Sequence, residues 1–362
     1  MIQPKPHIQE LHRFPPDTES HRPYLRLDKN ERVIPFPDEI IERFHALLDA
    51  NAVMSYPEAE PLYQKLSAYI GVPRSHLFLA TGSDLAIKTV FETYIAPGDN
   101  ILLHMPSYAM YEVYCKMFQA NLKTVSFNSQ LELDVAAFID AISPQTRMVV
   151  LENPNGFTGT ITSPENIRAI AEKAHRCNAI LLIDEVYYLF AGETVQSLLQ
   201  EFDNVIIVRS FSKDFGMAGL RCGYLISNPE NIGFLYRVKP MHEVTQAAVA
   251  FCTAILEFPE HTKRYVSEVK RGMSFLKDAL RQKGFVTGGG NGNFLLIYLG
   301  DDCDFPAVIK GLKDRGILVR RPFQVEAIKG WLRVGVGNVP KMEKFVSAFS
   351  EVLAETRCSR NG

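Results

Sequence analysis

The sequence predicts an α/β protein built on a mostly parallel sheet, followed by a smaller α+β unit. Three observations carry this. From about residue 58 to 230, short apolar runs alternate with longer helical patterns, the rhythm of strands and crossover helices. Most of those runs are continuous, as strands covered on both faces require. In the last third the rhythm changes, and a chain of 362 residues is long enough for two domains.

In chain order, the expected strands are Leu77–Ala80, Asn100–His104, Arg147–Leu151, Ala179–Ile183, Asn204–Val208 and Arg221–Ile226. Helical patterns fall between them at Ser83–Tyr94, Tyr108–Phe118, Pro164–Arg176 and Val195–Glu201. Turn chemistry separates them: Gly71-Val-Pro73, Pro97-Gly98-Asp99, and Ser163-Pro164 as an N-cap with a first-turn proline. The last third carries a long amphipathic helix at His261–Lys283 and a Gly288–Gly292 loop. Strands Phe294–Leu299, Ile317–Arg320 and Trp331–Val336 follow, with helices at Pro306–Arg315 and Pro340–Glu355.

Composition excludes several function classes. With 39 Lys+Arg against 41 Asp+Glu the formal net charge is −2, which removes the electrostatic case for nucleic acid or anionic membrane as partner. Hydrophobic residues at 46% exclude disorder. Met1–Glu10 has no apolar core after a basic start, so no secretory signal is expected, and no apolar run reaches transmembrane length. The six cysteines, at 115, 177, 222, 252, 303 and 358, show no metal-ligand spacing. They are expected to be reduced thiols of a cytoplasmic protein, with neither a metal site nor a disulfide framework.

Parallel α/β sheets bind ligands at the C-terminal ends of their strands. After Leu77–Ala80 comes Thr81-Gly82-Ser83-Asp84, a turn whose glycine permits close approach and whose helix N-terminus suits an anion. Taken alone, it reads first as an ordinary capped strand-to-helix turn. After Asn100–His104, Pro106-Ser107-Tyr108 puts an aromatic at the mouth of the sheet. Asp184 ends a run of five apolar residues, a costly place for a carboxylate unless it meets a cation, a donor or a helix N-terminus. After Asn204–Val208 come Ser210, Ser212 and Lys213, then Arg221: hydroxyls and a guanidinium for a phosphate, and an amine whose position lowers its pKa.

Three other matches fail. Asp214-Phe-Gly216 copies a kinase tripeptide without the accompanying loops. Gly288–Asn293 precedes a strand and does not open a helix, so it is not a dinucleotide fingerprint. None of the nine histidines has metal-ligand spacing.

The motifs Thr81–Asp84, Pro106–Tyr108, Asn153–Gly159, Asp184–Tyr187, Ser210–Lys213 with Arg221, and Trp331–Arg333, in this order, resemble those of fold-type I pyridoxal 5′-phosphate enzymes. Leu27–Glu31, Ser55–Pro57 and the Arg320/Arg333 pair most resemble the histidinol-phosphate aminotransferase branch. The resemblance runs from about residue 24 to the C-terminus. It implies a large domain over 46–260 with a mostly parallel seven-stranded sheet, and a smaller α+β domain from 1–45 and 261–362.

The resemblance also implies roles. Lys213 is the catalytic amine, bonding the cofactor and then shuttling the substrate Cα proton. Asp184 pairs with the pyridinium nitrogen, Tyr187 bonds the phenolic oxygen and Tyr108 stacks on the ring. Gly82, Ser83, Asp84, Ser210, Ser212 and Arg221 surround the phosphate. Tyr56 reaches the phosphate of a neighbouring subunit, which implies a homodimer with shared active sites. Asn30, Arg320 and Arg333 face the substrate, Arg333 gripping its carboxylate bidentately. Parity within Trp331–Val336 agrees, since Arg333 shares a face with Gly335 while Leu332, Val334 and Val336 pack behind.

Two positions depart from that branch. Gly156 stands where the branch has an asparagine bonding the phenolic oxygen, and Phe157 replaces the following proline. Either Asn155 takes over or Tyr187 acts alone. The N-terminal Pro-Tyr that helps hold histidinol phosphate has no counterpart in Arg13-Phe14-Pro15-Pro16. The expected activity is amino transfer between an amino acid and a 2-oxo acid or small phosphorylated substrate, without metal. The rivals are a decarboxylase similar to threonine-phosphate decarboxylase and a binding protein that kept the fold and lost the chemistry.

Overall fold

The computed structural model describes residues 2–11, 19–321 and 325–356. Its strands are β1 (Leu25–Leu27), β2 (Leu77–Ala80), β3 (Asn100–Met105), β4 (Asn121–Ser126), β5 (Thr146–Glu152), β6 (Ile180–Asp184), β7 (Val205–Ser210), β8 (Gly223–Ile226), β9 (Thr287–Gly288), β10 (Phe294–Tyr298), β11 (Ile317–Val319) and β12 (Trp331–Gly335).

Seven of these strands form the main sheet in the order β2-β8-β7-β6-β5-β3-β4. Five are mutually parallel neighbours, while β8 runs antiparallel to both β2 and β7. That reversal brings the start of β8 to the edge where β2, β3, β5, β6 and β7 end. Alternate residues of each central strand enter opposite cores: Leu102, Val149, Leu181 and Ile207 on one face, Leu103, Val150, Leu182 and Val208 on the other. Helices Glu60–Ile70, Pro164–Arg176 and Gln246–Glu257 cover the first face. Helices Gly82–Tyr94, Ala109–Met117 and Pro229–Val238 cover the second.

The sequence reading lacks β4, the seventh strand, because it lies at the sheet edge with almost every residue solvent-facing. Helix Gln246–Glu257 is buried nearly all round and so shows no amphipathic period. The helix expected at Val195–Glu201 is a 3₁₀ turn at Gln196–Gln200.

A second core joins β10, β11 and β12 with helices Pro259–Gln282, Phe305–Asp314 and Val339–Glu355. β10 is antiparallel to β9 and β12, and β1 pairs parallel with β11, bringing the N-terminal segment to this unit. Tyr187 and Phe190, which follow β6 of the main sheet, belong to the same core. Leu332, Val334 and Val336 pack into it as parity predicts.

Cys115, Cys177, Cys222 and Cys252 are free thiols. Cys303 is disulfide-bonded, so the expectation of reduced thiols is corrected there, while Cys358 lies outside the described residues. Among the described residues no His/Cys/Asp/Glu group could hold a metal ion, and no helix is long and apolar enough to cross a membrane.

Beneath the strand ends lies a buried ion pair. Arg209 of β7 donates to Glu185 Oε2 through Nε at 3.0 Å and Nη2 at 2.8 Å, and to Thr194 Oγ1 at 2.6 Å. Removing one partner strands a charge in the interior. Glu185→Ala is therefore expected to cost about 3–5 kcal/mol in denaturant unfolding, and a loss under 1 kcal/mol would refute the assignment.

Candidate active site

The chain between β2 and the helix Gly82–Tyr94 makes a close turn against Arg221 and β8. Gly82 has φ 75°, and a Cβ there would lie 2.7 Å from Arg221 Nη2. A Cβ on Gly223 would lie 2.5 Å from the Ser83 backbone nitrogen, so β8 and the helix start touch only because both residues are glycine. Thr81 occupies the N-cap without capping, its hydroxyl donating instead to Glu243 O. The first-turn N–H groups therefore have no side-chain cap and face the cleft edge.

Arg221, held at φ 52°, turns back over this helix start. Its Nη2 donates to Asp84 Oδ2 at 3.1 Å, and its Nη1 to Ser212 Oγ at 3.5 Å and Ala218 O at 3.3 Å. Ser210 Oγ accepts from the Ser212 backbone N–H at 3.0 Å. The six residues expected around a phosphate are thus one connected cluster. Asp84 is tied by Arg221 and by the Tyr108 hydroxyl, which donates to its Oδ1 at 2.6 Å.

Asp184, at the end of β6, is buried, with Oδ2 accepting from Tyr111 at 2.9 Å and Oδ1 from the Val186 N–H at 3.2 Å. Burial, with the charge of Glu152 second, pushes its carboxyl up to about 8. Tyr187 accepts from Asn30 Nδ2 at 2.9 Å, and burial raises its phenol to about 12, so it is a donor at neutral pH. Lys213 lies half-buried two residues after the serine cluster begins to turn, with Nζ donating to Lys29 O at 2.8 Å. Desolvation, then the charges of Arg333 and Arg221, lower this amine to about 8.

Arg333, in β12, reaches the same cleft from the second core. Its Nη1 donates to Gly156 O at 2.8 Å and its Nη2 to Asp28 O at 3.5 Å, with the Phe157 and Phe294 rings 5.8 and 5.3 Å away. Burial, and the like charge of Arg320 against the favourable Tyr187, lower the guanidinium to about 10. Arg320 itself is exposed just beyond β11.

Two further expected residues are Asn155 and Tyr56. Asn155 does not face the cleft: its Nδ2 donates to Pro106 O at 2.9 Å, and its Oδ1 accepts from the Phe157 and Thr158 N–H groups at 2.8 Å each. With these bonds it closes its own loop. Tyr56 is 78% exposed and stacks on His242 at 4.4 Å. Residues 13–16 lie outside the described residues.

The sequence reading missed Glu152 and Tyr111. Glu152 ends the apolar run of β5 as Asp184 ends that of β6, and the same signal of a carboxylate closing a buried strand would have found it. A cavity of about 800 Å³, lined by Met105, Phe127, Tyr298 and Trp331 among others, contains none of the expected site residues.

The residues present fit the implied pyridoxal 5′-phosphate. The helix start without a side-chain cap, Arg221 and the two serines suit its phosphate. A buried carboxyl with a raised pKa complements a ring N–H cation, and a lowered lysine suits its carbonyl carbon. Asn30 Oδ1 and Asp28 Oδ1 are buried without hydrogen-bond partners beside this space.

Comparison with known proteins agrees. The family described as aminotransferase class I and II matches residues 23–349. The chain is 32% identical over 335 residues to a histidinol-phosphate aminotransferase of Thermoanaerobacter pseudethanolicus, covering 91% of this chain and 94% of the relative. A solved histidinol-phosphate aminotransferase of Sinorhizobium meliloti, in complex with pyridoxal-5′-phosphate, superposes with TM-score 0.88 at 20% identity, over 98% of both chains. The solved L-threonine-O-3-phosphate decarboxylase of Porphyromonas gingivalis shares the fold with TM-score 0.77 at 19% identity, over 91% of this chain and 99% of that one.

A lysine lowered to about 8 is protonated and unreactive below that pH and nucleophilic above it. Reductive methylation of the cofactor-free protein, followed by peptide mass spectrometry across pH, is expected to label Lys213 with a midpoint near 8. A midpoint of about 10.4, that of an ordinary lysine, would show that the cleft does not desolvate it.

Proposed function

The chain belongs to the class I and II aminotransferases, and from that premise we propose that it moves the amino group of a small phosphorylated amino compound to a 2-oxo acid. Its cofactor is pyridoxal 5′-phosphate. The observation that carries the substrate class is Arg333, whose buried guanidinium reaches the cleft from β12 and donates to Gly156 O at 2.8 Å, with Arg320 following β11 as a second cation. Such an arrangement calls for an anionic substrate.

The chain's own groups divide the work. When bound, the cofactor supplies an electron sink for the pair left at the substrate Cα. Lys213 would hold it through Nζ and would move the substrate Cα proton; an amine of pKa about 8 is suited to that proton exchange. Asp184 holds the proton on the ring nitrogen. Tyr187 donates to the phenolic oxygen and is oriented by Asn30. Tyr108 covers one ring face. Gly82, Ser83 and Asp84 offer backbone N–H groups to the phosphate, with Ser210, Ser212 and Arg221 completing its shell. Arg333 grips one substrate anion and Arg320 the other.

The large unit is assigned residues 46–260 and the smaller one 1–45 with 261–362. The enzyme acts as a cytoplasmic homodimer with shared sites. Exposed Val53, Met54, Tyr56 and Met241 supply apolar surface for a second copy.

Screening amino donors, histidinol phosphate first, with detection of both the 2-oxo product and CO2 is the test. Transfer of the amino group to a 2-oxo acid is expected, and CO2 release without it would establish a decarboxylase. Arg333→Gln is expected to lower kcat/KM roughly 30- to 1,000-fold, the loss of one charge-paired contact, with most of the change in KM. An unchanged KM would remove Arg333 from the substrate site.

A further inference from the structure

Glu152 is a buried carboxyl in the cleft that none of the roles above uses. It stands beside Asp184 in the parallel β5–β6 register, so the two acids share a face of the sheet. Its Oε1 accepts from the Ser107 hydroxyl at 2.6 Å and from the Tyr108 backbone N–H, and its Oε2 accepts from the Gly156 N–H at 2.8 Å. Its own N–H donates to His104 Nε2 at 2.9 Å, and burial holds His104 neutral, so the strand end carrying the carboxyl is fixed as well.

Gly156 is coupled to it sterically. The glycine is not in the left-handed region, so its conformation does not demand the absence of a side chain. A Cβ there would lie 2.9 Å from Glu152 Oε2 and 3.9 Å from the Tyr187 ring. The carboxyl occupies the room that a side chain at 156 would need. Gly156 in turn presents its carbonyl to Arg333, and Tyr108 presents its hydroxyl to Asp84. One carboxyl therefore links the ring-covering tyrosine, through the single residue Gly156, to the substrate-gripping arginine.

We propose that Glu152 is a positioning residue for the amino-transfer reaction, holding Tyr108 and Gly156 in place and adding a second negative charge at the edge of the cofactor ring. This rests on the pyridoxal 5′-phosphate site described above. A nearby negative charge stabilises any protonated cation on the bound cofactor, so removing it makes that proton easier to lose.

Glu152→Gln keeps the shape, removes the charge and sets an amide N–H2 against a donor. In the purified holoenzyme, the pH midpoint of the cofactor's visible absorbance band is expected to fall by roughly half a unit to one unit. Steric coupling is tested separately by cofactor retention on dilution. Gly156→Ala is expected to weaken retention about tenfold in the natural background and less than twofold in Glu152→Ala. An unshifted midpoint with equal Gly156→Ala losses in both backgrounds would overturn the proposal. A natural protein showing no visible band would instead overturn the cofactor site, which keeps the two failures distinguishable.

Discussion

Desolvation of opposite charges within one cleft is the constraint on which the site depends. Asp184 and Lys213 are both drawn out of water, and each is pushed toward its neutral form: the acid up to about 8, the amine down to about 8. Neither shift is an accident of a surface ion pair, since burial is the first cause of both. For Asp184, a raised folded pKa means that stability is lost as pH rises from the ordinary carboxyl range to about 8. For Lys213 the sign is opposite, and stability is gained as pH rises through about 8. Near neutral pH the empty cleft bears both penalties. A ligand that brings a cation to Asp184 and a carbonyl carbon to Lys213 relieves both, and binding such a group is linked to folding stability.

The fold makes that arrangement possible through strand direction. β8 alone runs against its neighbours, and its start, with Arg221, therefore meets the ends of β2, β6 and β7. Two glycines, Gly82 and Gly223, let the guanidinium and the strand approach the helix start. The second core is stitched to this edge by Tyr187 and Phe190, which leave β6 and enter that core. Arg333 in β12 consequently stands at a set distance from the ends of the main sheet, resting on the Gly156 carbonyl.

Much of this was legible in the sequence because the chemistry is local. Asp184 closes an apolar strand, and Ser210, Ser212, Lys213 and Arg221 fall within twelve residues. What escaped depends on long-range contacts or on surfaces without pattern. β4 is an exposed edge, and helix Gln246–Glu257 is too completely buried to show a period. Asn155 carries the expected residue type, but its amide is consumed by Pro106, forty-nine residues away in sequence, and by its own turn. Glu152 meets Ser107 across forty-five residues, a pairing no local motif announces.

The two carboxyls at the strand ends also differ in a way that composition alone could not separate. Asp184 takes one hydroxyl and one peptide N–H, and burial dominates its shift. Glu152 takes one hydroxyl and two peptide N–H groups, from loops that follow two different strands. A carboxylate has about four acceptor positions, so Glu152 is nearly saturated by protein donors while Asp184 keeps capacity for a ligand. Position along the sheet edge, rather than residue type, therefore separates them: one acid keeps free acceptor positions, and the other is tied to loops that follow two strands.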